Sequence, residues 1–125
     1  MAVEQRQYDI SLDAARDLSD YQYHVMAGSG EFGCDIAGEA DIDSVGILQS
    51  KPDAEGVSAE VRRVGISKAV CGGTIPAWSF VTPDADSHIV VAAEGEYHVG
   101  RAMEAGIEDQ VISVLMEFGT TPAES

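Results

Sequence analysis

Apolar residues along this chain recur at every second position in short runs, and the runs are separated by glycine, proline and acidic residues. A period of two places alternate side chains on opposite faces of an extended strand. The pattern predicts strands over 21–27 (YQYHVMA, with Tyr21, Tyr23 and Val25 on one side), 45–49, 57–64, 65–71, 79–82 and 88–93, and within EYHVGRAME and QVISVLMEFG. In the last, Ile112, Val114, Met116 and Phe118 share one face while Val111 and Leu115 lie on the other, as in a strand buried on both sides. The connections SKPDAEG, GGTIPAW and PDADS carry turn chemistry. Short strands at this spacing specify an all-β fold, a small β-barrel or sandwich.

The segment Val45–Gly65 has a degenerate echo in Val99–Gly119, and both read as strand, turn, strand. Laid together without a gap they share Val45 with Val99, Gly46 with Gly100, Val57 with Val111 and Gly65 with Gly119. A Val-Gly opening lets two backbones approach closely at a strand start. A two-copy β architecture is the simplest inference.

Residues 1–20 are polar, with Tyr8, Ile10 and Leu12 spaced by two and Ser11 placed to cap a short helical turn through LDAARDL. We expect an extended N-terminal arm over 1–20, with at most that helical turn, then a β domain over 21–119 and a polar C-terminal tail over 120–125. An arm of this kind docks by adding a strand to a neighbour's sheet edge, with Tyr8, Ile10 and Leu12 entering pockets.

GSGEFG at 28–33 matches G-x-G-x-x-G, but no long helix or βαβ alternation follows and Glu31, Asp35, Glu39, Asp41 and Asp43 would repel a pyrophosphate. It reads as a hairpin turn. Those acids lack the spacing of a calcium-binding loop and read as a solvated acidic loop. Twenty-two acids against seven bases leave a formal charge of -15, and the bases are scattered. Nucleic acid is excluded as a partner because phosphate binding needs a basic patch, and an anionic membrane for the same reason. No apolar run is long enough to span a bilayer, and the N-terminus lacks the layout of a signal peptide. Cys34 and Cys71 read as small buried apolar residues rather than a disulfide. His24, His88 and His98 have no metal-ligand spacing with one another or with the cysteines, and no nucleophile elbow occurs. No catalytic residue, metal or cofactor is expected, and the chain is not read as an enzyme.

Four segments in order, GILQSKP, GISKAVCGG, VTPDAD and GRAMEA, together with DLSDYQYHVM near the start, resemble the capsid cement (decoration) proteins of tailed bacteriophages over about residues 17–119. That family comprises small trimeric β proteins. This chain has Trp78 and Ser87 where the family usually has glycine, so those turns are expected to differ in shape, with Trp78 a surface contact. The resemblance implies a structural virion protein on the outer capsid surface, made in the cytoplasm of a bacterial host. It would stabilise the lattice by bridging major capsid proteins. A surplus apolar face on the last strand further suggests a homotrimer, with Val111, Val114, Leu115 and Met116 at its interface. The acids of 35–43 should point outward, and the capsid face should be neutral or basic. The alternative is a host-surface or glycan-binding β module on the particle, with Trp78 and the tyrosines as stacking platforms.

Overall fold

The computed structural model describes residues 7–123, which form ten strands and no helix. In chain order these are β1 (Tyr8–Ala14), β2 (Val25–Ser29), β3 (Gly33–Ile36), β4 (Ser44–Leu48), β5 (Ser58–Val64), β6 (Ile66–Val70), β7 (Phe80–Pro83), β8 (Ile89–Val91), β9 (Tyr97–Ala102) and β10 (Val111–Thr120). The expected all-β class holds.

The first five strands close into a barrel in the order β1-β3-β2-β4-β5, and the last five form a sheet in the order β6-β10-β9-β7-β8. These are one arrangement used twice. In each half the second and third strands form a hairpin, the fourth returns beside the second, the fifth pairs with the fourth, and the first pairs with the fifth. The first barrel closes through the parallel pairs Asp13↔Gly33 and Ala14↔Cys34. The second closes through one parallel bridge, Cys71↔Ile89.

The repeat extends to single hydrogen bonds. Tyr23 N–H donates to Leu48 O as Trp78 N–H does to Ala102 O, and Ala14 N–H donates to Val57 O as Cys71 N–H does to Gln110 O. Gly38 N–H donates to the Asp41 carboxylate as Ala93 N–H does to that of Glu96. The sequence echo is thus the most legible part of a duplication running from β1 to β10. Its opening glycines act as expected: a Cβ on Gly46 would strike Arg62 O, and one on Gly100 would strike Leu115 O, each the backbone of the paired strand. Its second half slips by one residue, with Val57 equivalent to Gln110 rather than Val111, and Gly65 lies after β5 while Gly119 lies within β10.

Seven buried side chains fill the first barrel: Ala14, Leu18, Met26, Cys34, Leu48, Ala59 and Val61. Their counterparts in the second are Cys71, Ile75, Val81, Ile89, Ala102, Ile112 and Val114. Large and small residues exchange places between copies, so comparable interior volumes are filled by different sets. At the closing bridge the cysteine itself changes sides, facing Ala14 as Cys34 in one barrel and Ile89 as Cys71 in the other. Both thiols are free and buried, as expected. Burial, with Asp35 and Asp13 nearby, pushes the Cys34 thiol up to about 11, and burial with Glu104 raises that of Cys71, so neither is a ready nucleophile.

Several expectations are corrected. From Tyr8 onward the expected arm is β1, a barrel strand: Asp9 to Asp13 pair with Arg62 to Ser58 of β5, and Ile10 and Leu12 pack on the first core. The strand does add to a sheet edge, but to this chain's own. Ala14 is the last residue of β1 and Leu18 is fully buried, so LDAARDL continues as strand and turn instead of helix. Residues 1–6 of the proposed arm, and residues 124–125 of the proposed tail, lie outside the described residues. Tyr21 and Tyr23 precede β2 rather than belonging to it, and Tyr23 has φ 68°. β3 went unforeseen, because Gly33–Ile36 is short and its Cys34 and Ile36 are embedded in acids.

Candidate functional site

The two barrels meet along a joint whose halves come from different parts of the repeat. The first barrel supplies the entry to β2: Val25 N–H donates to Ser87 O at 2.9 Å, and Tyr23 O accepts from Val70 N–H at 3.2 Å. The second supplies β6 and the β7–β8 turn. Val25, Ala27 and Ile47 alternate along β2 and β4 with the inward-facing Met26 and Leu48, and with Ala37 they join the second barrel's core. Around this apolar centre Gln49 Nε2 donates to Ser67 Oγ at 2.8 Å, Arg62 donates to Ile66 O at 3.0 Å, and the Arg63 guanidinium lies 4.8 Å from the Phe118 ring centroid.

The β7–β8 turn brings together residues that sequence spacing did not. Donor atoms of Asp84, Asp86 and His88 lie within 4.8 Å of one another, and the His24 ring from the first barrel stands 4.6 Å from that of His88. The D-x-D-x-H spacing over residues 84–88 is the sequence signal for this cluster, which the spacing of the histidines and cysteines among themselves does not carry. The cluster has a structural duty. Asp84 Oδ1 accepts the N–H of Asp86 at 2.9 Å and of His88 at 3.0 Å, while His24 Nδ1 sits 2.8 Å from Ser87 Oγ. Its other carboxylate oxygen lies where a Cβ on Gly72 would be. Burial, and then the neighbouring His88, hold the His24 pKa below its ordinary 6.5, so a neutral ring is favoured at the joint.

The corresponding face of the second barrel is uncovered. Trp78, Phe80, Val91, Ala92 and Thr121 line a groove of about 900 Å³. Trp78 O, the counterpart of Tyr23 O, accepts Arg101 Nε at 3.1 Å and Nη2 at 3.0 Å, and the same guanidinium stacks 4.6 Å from the Phe80 ring centroid. Beneath it His98 is 4% exposed, its Nδ1 3.2 Å from Thr121 Oγ1, and burial lowers its pKa. His98 therefore packs within the strand face, as expected.

Trp78 is half exposed on this face. Its φ is 67° and that of Ser87 is 63°, the left-handed region that glycine adopts freely. Both residues therefore hold a backbone shape that glycine adopts freely, although neither is glycine. The residues assigned to a trimer interface do not form one surface. Val114 is fully buried and Met116 is 8% exposed, both within the second core, whereas Val111 is 46% exposed and Leu115 is intermediate on the opposite face. Ile10 and Leu12 are half-buried, leaving Tyr8, at 62%, as the exposed member of its set. The acids of 35–43 are partly structural: Asp35 pairs with Arg16 at 2.6 Å, and Asp41 holds its turn through Gly38 and Asp43.

No protein-family model matches this sequence, and no curated protein matches it. Among solved structures, the fold is similar to the head fiber gp8.5 N base of bacteriophage phi29, with a TM-score of 0.67 and 15% identity over 94% of this chain and 100% of that one. At that identity the likeness shows a common fold.

Proposed function

We propose that this protein is a structural component of a tailed-bacteriophage virion, seated on the outside of the head and bridging major capsid proteins. The observation that supports it most is the likeness, over essentially the whole of both chains, to the base of a head fiber. That fold is compatible with either a fiber base or a cement protein, and the resembling segments favour cement.

Charge supports a neutral or basic docking face. Of the seven bases, Arg16 is bound to Asp35 and Arg62 to Asp9, while Arg63 and Arg101 donate to Val45 O and Trp78 O. Lys68 lies 5.8 Å from the Tyr23 ring centroid. With four arginines tied to this chain's own carboxylates and carbonyls, and twenty-two acids against seven bases, the excess carboxylates set the field a partner meets. The work is mechanical, and no catalytic step is assigned.

Purified protein mixed with undecorated capsids should bind saturably, raise the particles' melting temperature, and bind more weakly as salt rises. Binding only to cells or glycans would instead establish the adhesin reading, for which Trp78 and Tyr8 are exposed aromatics.

A further inference from the structure

We infer that copies of this chain associate head to tail, the β2–β3 turn of the first barrel in one copy entering the groove on the second barrel of the next. The inference rests on the internal repeat and is independent of the capsid reading.

Within one chain the joint has a receiving half, Tyr23-His24-Val25 at the entry to β2, and an inserting half, the β7–β8 turn around Ser87. Each barrel carries its own version of both halves, but the intramolecular joint uses only one of each. The receiving half left out of the joint is Trp78-Ser79-Phe80, which lines the groove and whose Trp78 O is held by this chain's own Arg101. The unused inserting half is the β2–β3 turn, where Phe32 stands in the place of Ser87. Each is the residue before its outgoing strand begins or nearly so, and both have a left-handed φ, 54° and 63°.

Size is complementary across the unused pair. In the joint a large His24 meets a small Ser87, whereas between copies a small Ser79 would meet a large Phe32. Phe32 is 83% exposed, and Trp78 and Val91 on the groove are 50% and 46% exposed, so each end of the molecule presents apolar surface. A second copy is the occupant because this chain itself carries the half that matches the groove. Such a contact is heterologous: it closes into a ring if the rotation between copies permits, and otherwise runs on as a filament. Copies bearing -15 each repel one another, so salt should strengthen the association, opposite to its effect on capsid binding.

Sedimentation velocity on the full chain without capsids tests this. At about 100 µM and in high salt, the wild type should sediment as an oligomer. Phe32→Glu and Val91→Glu should each be monomeric with an unchanged far-ultraviolet spectrum. Their equimolar mixture should form a dimer and nothing larger, since one variant retains a working groove and the other a working turn. Should either acidic variant misfold, Phe32→Ser, carrying the residue of its counterpart, and Val91→Ser replace them. A monomeric wild type, oligomers indifferent to both folded variants, or a mixture that stays monomeric would each overturn the inference.

Discussion

The two barrels share a topology and a set of interior positions but differ in how far their cores extend. The first core is confined to its own barrel, whose wall closes with two parallel pairs. The second closes with one bridge, and its core continues outward into Val25, Ala27, Ala37 and Ile47 of the first. One barrel is therefore self-contained inside while its outer wall completes its neighbour. The same wall on the second barrel has Phe80 where the first has Val25 and Arg101 where it has Ile47, and it faces the groove. A duplicated fold can thus gain a joint on one copy and retain a free face on the other through a few outward positions, with its interiors matched.

The largest effects should come from the matched interiors. Leu48→Ala and Ile112→Ala each remove a fully buried side chain and should cost about 3 kcal/mol. Because the second core runs into the first barrel, both variants should still melt in a single, earlier calorimetric transition. Two separated transitions would show that the barrels are independent units.

The glycine pair comes next. Gly46→Ala and Gly100→Ala each drive a methyl group against a paired backbone carbonyl, which cannot rotate away, at a cost of about 2 kcal/mol. Chemical denaturation should find similar losses in the two variants, and a tolerated alanine at either position would break the structural equivalence.

A smaller contrast lies in the turns before the fifth strands. The first barrel has Gly56 at φ 85° and the second has Asp109 at φ 68°, with each N–H bonded to the end of that barrel's first strand. Both positions are exposed. Asp109→Gly should therefore stabilise by about 1 kcal/mol, and Gly56→Asp should destabilise by about as much. Opposite signs in matched denaturation curves are the expected result, and like signs would show that the turns are not equivalent.

The smallest effect concerns pH. Burial, and then His88, lower the His24 pKa in the folded protein, and burial lowers that of His98. The native state thus binds fewer protons than the unfolded state, so stability is fullest above about pH 6.5 and is lost as pH falls through the folded values. His24 lies at the joint, whereas its second-barrel counterpart is Ser79. His24→Ser should flatten part of the acid limb in pH-dependent melting, and an unchanged limb would assign the whole effect elsewhere.

Much of the fold was legible because alternation is local. Most strands after β3 lie close to where the hydrophobic pattern puts them, since a half-buried strand must alternate wherever it sits. The Val-Gly echo was legible because only glycine tolerates a backbone carbonyl at that distance. β3 was not, because Asp35 faces outward to Arg16 and Asp41 is tied into its turn, so structural acids had the appearance of a solvated loop. The site was less legible still. Trp78 stood out as an odd residue in a glycine position, but Phe32 passed as one letter of a turn, and the pairing of Asp84, Asp86 and His88 with His24 crosses two barrels.

By itself the sequence determined the β class, the turn positions, the fate of both cysteines and the presence of a repeat. Those follow from side-chain period and from the steric demands of single residues, which act within a few positions of chain. Tertiary structure alone decided that β1 belongs to the barrel, that Val114 and Met116 face a core, and that one outer wall is covered while its twin lines a groove. Alternation records that a face is apolar, but what covers that face depends on strands far away in the sequence, here on which copy of the repeat has a neighbour.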